Sequence, residues 1–159
     1  MKATEAARAG LLATLALSPL PVLADAIDFD FYGSLRLQWE AVDPDGANSY
    51  NGVRDAYSRI GFRASAPLAE GFDAFGQLEL PLDLAVGEVQ DTWDTDQDVR
   101  IAKLGVHTGF GTVAYGQDWM PYYNAIAYPV DMFSTSYSGF APFSSFRLGD
   151  SLYYYSPDL

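Results

Sequence analysis

From Asp28 onward the chain alternates residue by residue between apolar and polar. Phe29, Phe31, Gly33, Leu35, Leu37, Trp39 and Ala41 share one face, while Asp28, Asp30, Tyr32, Ser34, Arg36, Gln38 and Glu40 share the other. A period of two, not 3.6, is that of a strand with one apolar and one polar side. Ordinary strands average about 5–6 residues, whereas a strand tilted across a bilayer needs about 9–11. One strand through this whole stretch therefore points to a membrane wall. The same alternation predicts a second strand over Ala56–Ser65, with Arg59, Gly61, Arg63 and Ser65 on its polar side. A third runs from Phe72 to Leu80, where Pro81, lacking an N–H, is expected to end the pairing. The fourth, Val99–His107, is less regular: Arg100 shares a face with Ala102, Leu104 and Val106, and Lys103 and His107 share the other with Val99 and Ile101. A fifth strand covers Thr112–Gln117 and a sixth Arg147–Ser156.

The connections sort by length. Asp43–Asp55 is polar turn chemistry throughout, Pro67–Gly71 is a tight turn, and Ala85–Asp98 is a second loop loaded with Glu88, Asp91, Asp94, Asp96 and Asp98. Thr108–Gly111 is again short, and Trp119–Phe146 is a long aromatic segment with neither a helical nor a strand period. A structureless loop of that size is usually functional. Long and short connections in alternation are a feature of outer-membrane barrels, with short periplasmic turns and longer external loops. A soluble antiparallel sandwich would also give alternating strands, but it has no reason to sort its loops. Phe29, Trp39, Tyr57, Phe72 and Tyr154 would suit aromatic girdles at the membrane interfaces, and each would equally suit a core.

The first 24 residues read as an address. Lys2 and Arg8 give a positive start, Leu11–Leu17 a short apolar block, Pro19 and Pro21 end it, and Val22-Leu23-Ala24 offers small residues for cleavage. Residues 1–24 are thus expected to be a signal peptide and residues 25–159 the exported chain. Of 9 Lys+Arg and 21 Asp+Glu, removal of Lys2, Arg8 and Glu5 leaves 7 basic and 20 acidic residues, so the exported part is strongly acidic. That excludes a nucleic-acid partner, which needs a basic patch. With no cysteine and one histidine, His107, there is no material for a disulfide, a thiolate metal site or a histidine-based catalytic cluster. The acidic second loop lacks the spacing of a calcium loop and reads as a solvated surface. Neither cofactor, metal nor enzyme chemistry is expected.

Six stretches, in order, resemble a known family. They are Asp30-Phe-Tyr-Gly-Ser-Leu, Ser58-Arg-Ile-Gly-Phe-Arg, Pro67-Leu-Ala-Glu-Gly-Phe, Phe75-Gly-Gln-Leu-Glu, Gly109-Phe-Gly-Thr-Val-Ala-Tyr-Gly-Gln and Asp150-Ser-Leu-Tyr-Tyr-Tyr-Ser-Pro. Together they resemble the general (non-specific) diffusion porins of Gram-negative bacteria. The resemblance implies an all-β transmembrane antiparallel barrel of about 16 strands, a homotrimer in outer-membrane lipid, and an aqueous pore for small hydrophilic solutes and ions. It also implies a third loop folded into the lumen, the place occupied by Trp119–Phe146. Family members set acidic residues on that loop against a ladder of basic residues on the wall. Arg59, Arg100 and Arg147 match ladder positions, Glu79 matches a lumenal carboxylate and Asp131 an acid of the loop. Two departures stand out. Met132-Phe-Ser-Thr-Ser replaces a tip that carries a second acid, and Ser34 stands at a position often basic, which Arg36 on the same face would cover.

Six strands cannot close a barrel, since even the smallest take eight, so the chain is expected to be the N-terminal part of a longer product. On the polar faces, Asp28, Asp30, Glu40, Asp73, Glu79 and Asp83 nearly balance Arg36, Arg59, Arg63, Arg100 and Arg147. Asp131 and the acidic loops then tip the expectation to a modest cation preference. Lys103 and His107, on a face expected to point outward, would be costly in lipid and easier to place at a contact between subunits. A substrate-selective channel of the same fold and an exported soluble β-protein are the other two readings that the sequence leaves open.

Overall fold

In the computed structural model the described residues are 27–91, 98–130 and 146–157. Six antiparallel strands form one sheet: β1 (Asp28–Ser34), β4 (Ser58–Ala69), β5 (Phe72–Leu82), β6 (Ile101–Thr108), β7 (Gly111–Trp119) and β8 (Arg147–Tyr155), in that spatial order. A second, two-stranded sheet pairs β2 (Leu37–Val42) with β3 (Tyr50–Asp55). Strands β4, β5, β7 and β8 have 12, 11, 9 and 9 residues, long enough to cross a hydrocarbon layer at a tilt. Tight turns at Glu70–Gly71 and Gly109–Phe110 close one end of the sheet, and the longer connections lie at the other. Among the described residues no helix is long and apolar enough to cross a membrane.

The faces are inverted relative to a soluble sheet. Pairs such as Phe31↔Phe62, Phe62↔Leu78, Leu104↔Tyr115 and Tyr115↔Leu152 put large apolar side chains on one surface. They are open: Trp39 is 69% exposed, Leu104 73% and Leu152 74%. The covered residues include charged ones, with Glu79 at 5% and Arg100 at 6%. Water would reject so large an apolar surface, but a bilayer wants an apolar outer band and a polar interior. Rings of Phe29, Phe31 and Phe62 cluster on this outer surface with centroids 5.8 and 5.1 Å apart.

Several sequence expectations change. The first strand is not continuous: it breaks at Leu35–Arg36 into β1 and β2, opposite a break at Ala56–Tyr57 between β3 and β4. Ala56 N–H donates to the Arg36 carbonyl across the break (3.0 Å), and the buried Asp55 carboxylate accepts from Ser58 N–H (2.8 Å) and Leu84 N–H (3.2 Å). The stretch Asp43–Asp55 is likewise only part loop, because Tyr50–Asp55 is strand β3. Its polar residues hid it, since only Val53, paired with Trp39, marks an apolar face. Pro81 does not end β5: it pairs with Arg59 on the β4 side, while pairing to β6 stops at Glu79↔Ile101. The missing N–H is thus compatible with a strand that has lost one neighbour.

The largest correction is one of phase. Gln77↔Lys103 and Asp73↔His107 put Lys103 and His107 on the polar side with Glu79, not on the outer surface. Lys103 Nζ meets Asp118 Oδ2 at 2.7 Å, and the His107 ring stacks on Phe75 at 4.3 Å. Arg100 precedes β6 at a bend, where Gln117 Nε2 donates to the carbonyl of Val99 (2.6 Å) and more weakly to that of Arg100 (3.3 Å). Alternation counted from a residue outside the ladder assigns every side chain of the strand to the wrong face.

Orientation of the outer face is testable. Leu104→Arg should cost about 2–4 kcal/mol in the native membrane assembly, whereas the same change at Gln77 on the polar face should be tolerated. Urea unfolding in lipid vesicles would measure both, and equal costs would contradict the assignment of faces.

Candidate functional site

The strands that carry Arg59 and Arg147 begin with or beside them, and Arg100 immediately precedes β6. Strands β4, β6 and β8 run in the same direction, so the three arginines arrive at one level, on the polar face, at the end of the sheet that bears the long connections. Glu79 lies at that level because the register sets it against Gly61 on one side and Ile101 on the other.

The result is a chain of alternating charge. Arg59 Nε stands 4.0 Å from Glu79 Oε2, and Arg100 Nε donates to Glu79 Oε1 at 2.8 Å. Arg100 Nη1 donates to Asp91 Oδ2 at 3.1 Å, and Arg147 Nη2 donates to the same oxygen at 2.9 Å. Both Arg100 and Arg147 lie near the Trp119 ring, with guanidinium carbons 5.5 and 5.1 Å from its centroid. Trp119 in turn stacks on Tyr123 at 4.2 Å. Guanidinium stays charged in any surroundings and fits carboxylates through its fixed fork, so the arrangement is a permanent pattern of charge on the wall.

Tyr32 props the chain from below. Its hydroxyl donates to Glu79 Oε2 (2.9 Å) and accepts from Gln77 Nε2 (2.7 Å). Its ring fills the space above Gly61, where any Cβ would strike it, and Arg63 lies over the ring at 4.0 Å. The space left by Gly61 between Arg59 and Arg63 is therefore taken by an aromatic ring. A second irregularity lies near Asp118. Gly116 has φ 136°, and a Cβ there would collide with the Ala102 carbonyl oxygen. Gly116 pairs with Lys103, so alternation puts Asp118, two residues on, on the same face, where it meets Lys103 at 2.7 Å; the β7–β8 register shifts beside it, with the extra residue on β8.

Of the residues that the sequence singled out, Arg59, Arg100, Arg147 and Glu79 come together. Arg36 stands at the flank of this group, at the break between β1 and β2: its Nε donates to Oγ of Ser34, the partner of Arg59 in register, at 2.8 Å, and its backbone N–H to Ser58 Oγ at 2.8 Å. Asp131 lies outside the described residues, as do Asp94 and Asp96 of the second loop. Asp91 was missed. Its loop read as solvated surface, yet Asp91 is 3% exposed and joins two of the arginines. Only its membership of an acidic run is visible in the sequence, because its partner Arg147 is 56 positions away. Among the described residues no cluster of three metal-binding side chains occurs.

The long segment after β7 starts and ends beside this site. Past Trp119 the chain makes a π turn (Tyr123–Ala127) and a 3-10 turn (Tyr128–Val130), and it returns at Phe146. Met120 N–H donates to the Phe146 carbonyl at 2.8 Å, and the Tyr123 and Phe146 rings are 5.2 Å apart. Both feet of the segment thus stand next to Arg147.

A family model described as Gram-negative porin matches residues 11–159. No curated protein matches the sequence. Among solved structures, a loop-L8 deletion mutant of OmpT, an outer membrane protein of Vibrio cholerae, superposes with a TM-score of 0.59 at 23% identity, covering 84% of this chain and 41% of that one. In-vitro folded OmpT of Vibrio cholerae in its trimer form gives 0.57 at 24%, covering 84% and 39%. Salmonella typhi OmpF in complex with daunomycin gives 0.51 at 24%, covering 72% and 32%. The chain therefore spans less than half the length of each of these structures, and the likeness is one of fold.

The Tyr32 prop makes a prediction. Tyr32→Phe and Glu79→Gln should couple by about 0.5–3 kcal/mol in a double-mutant cycle, because one hydrogen bond links them. Unfolding of the native assembly would measure it, and strict additivity would show that the prop does not support the carboxylate.

Proposed function

The chain belongs to the Gram-negative porin family, and from that premise we propose that it forms part of the wall of a water-filled channel for passive diffusion of small hydrophilic solutes and ions. It is an outer-membrane β-barrel protein by family and fold. The observation that supports conduction most directly is the charge chain Arg59–Glu79–Arg100–Asp91–Arg147 at one level of the polar face, behind a wall whose other face is apolar. Charged rings at a narrow level are how pores select.

On this reading residues 1–24 are an export signal, and three copies associate, as the trimer form of OmpT supports. The segment from Trp119 to Phe146 folds into the lumen, a reading that its two feet beside Arg147 favour. Asp131 then faces the arginines from that segment. Opposed charges across the narrowest level make a transverse field that orients ions and dipolar solutes. The arginines are partly neutralised by Glu79 and Asp91, and Lys103 by Asp118. The remaining acids of the loops give a modest cation preference, because mouth potentials gather counter-ions.

Reconstitution of the native assembly in planar bilayers tests this. Arg59→Gln with Arg100→Gln, which removes both charges but keeps amide donors for Glu79, should raise cation preference and single-channel conductance while leaving the assembly intact. Unchanged selectivity and conductance in a correctly assembled double variant would show that the arginines do not line the narrow level.

A further inference from the structure

Resting on that channel reading, we infer that Asp91 is a selectivity-determining residue of the pore, acting from the β5–β6 connection as a fixed negative charge on the arginine wall. The connection is shaped to deliver it. Asp83 and Glu88 pair in an antiparallel bridge, with Asp83 N–H donating to the Glu88 carbonyl at 2.8 Å and Glu88 N–H to the Asp83 carbonyl at 3.0 Å. Gly87, at φ 79°, closes that turn, and the Asp83 side chain accepts from Ala85 N–H at 2.9 Å. The chain so folded back sets Asp91 against the wall instead of in open water.

The charge there is consequential because each acid of the chain serves two guanidiniums. Glu79 is shared by Arg59 and Arg100, and Asp91 by Arg100 and Arg147. Among the described residues, Asp91 is the carboxylate that meets Arg147, whose Nη1 is buried and already without a partner. Trp119 covers the same two guanidiniums from another side. Removing the Asp91 charge thus leaves three guanidiniums with one carboxylate, Glu79, where there had been two. Exposed loop acids such as Glu88 act differently. They sit in electrolyte and are screened within about 10 Å at 0.1 M salt, whereas a covered charge is screened much less.

The test is Asp91→Asn in the native assembly, read as the reversal potential across a salt gradient. Asparagine keeps an oxygen that accepts from one arginine, so it removes charge while retaining an anchor. The cation-to-anion permeability ratio should fall by about three- to tenfold, the scale that Coulomb's law gives for one charge close to an ion's path in water. That shift should survive in about 1 M salt, where the corresponding shift of Glu88→Gln disappears. Asp91→Glu should restore the wild-type ratio. If Asp91→Asn fails to assemble, Asp91→Asn with Arg147→Gln leaves no orphaned guanidinium and should assemble with a ratio near wild type; a shifted ratio there overturns the assignment. A conducting Asp91→Asn channel with an unchanged ratio also overturns it and leaves the channel reading standing. A wild-type assembly that does not conduct overturns the channel reading itself.

Discussion

In hydrocarbon an unpaired backbone amide or carbonyl has no water to turn to, and each costs several kcal/mol. A strand that crosses a bilayer must therefore be paired along its length, and the pairing register fixes which side chains face lipid. The continuous ladder from β1 through β8 does this here. Register sets Phe62 beside Leu78 on one side and Gly61 beside Glu79 on the other. A slip of one residue would exchange the faces and push Glu79, Lys103 and Arg63 into lipid. The irregularities sit where the ladder can afford them: at the Leu35–Arg36 break, at Pro67 to Ala69 beside a tight turn, and at Gly116 to Asp118 near the end of β7.

Everything at the charged level inherits its position from that ladder. Arg147 begins β8, Arg100 stands one residue before β6, and Arg59 is second in β4, where it pairs with Ser34 and Pro81. Each is near the point where its strand starts, and its side chain can lean toward a neighbour. Glu79 differs in lying well inside β5, paired with Gly61 and Ile101. The fixed carboxylate thus organises the movable guanidiniums, with Tyr32 bracing it through one hydrogen bond and Gly61 making room for the brace.

How much of this the sequence revealed follows from which signals are local. Alternation is local, so five strands of the main sheet, all but β1, which was read straight on into β2, were legible within a few residues at each end. Strand β3 was not, because Asn51, Gly52 and Arg54 break the pattern and its evidence is the register with Leu37–Val42. The faces of β6 were read backwards for a related reason: the bend at Arg100 depends on Gln117, a side chain from the next strand. Arginines 59, 100 and 147 were legible through the family resemblance and their place at strand starts. Asp91 was not, since neither its burial nor its partner 56 positions away leaves a trace in the surrounding acidic run.

The charged chain itself is a poor candidate for what keeps the sheet folded. A covered ion pair gains Coulomb energy but gives up hydration, and the two nearly cancel. Where water fills a lumen the gain is smaller still, because the dielectric is higher. The ladder and the outer apolar face bear the stability, and they belong to the backbone and to residues on the opposite side of each strand. Substitutions at the charged level therefore act on one face of a sheet held by other means, provided that acids and bases leave together and no buried charge is orphaned. That separation permits the charged level of a wall of this kind to vary while its fold stays the same, because the alternation that hides charges from lipid also divides the charged residues from the residues that hold the sheet.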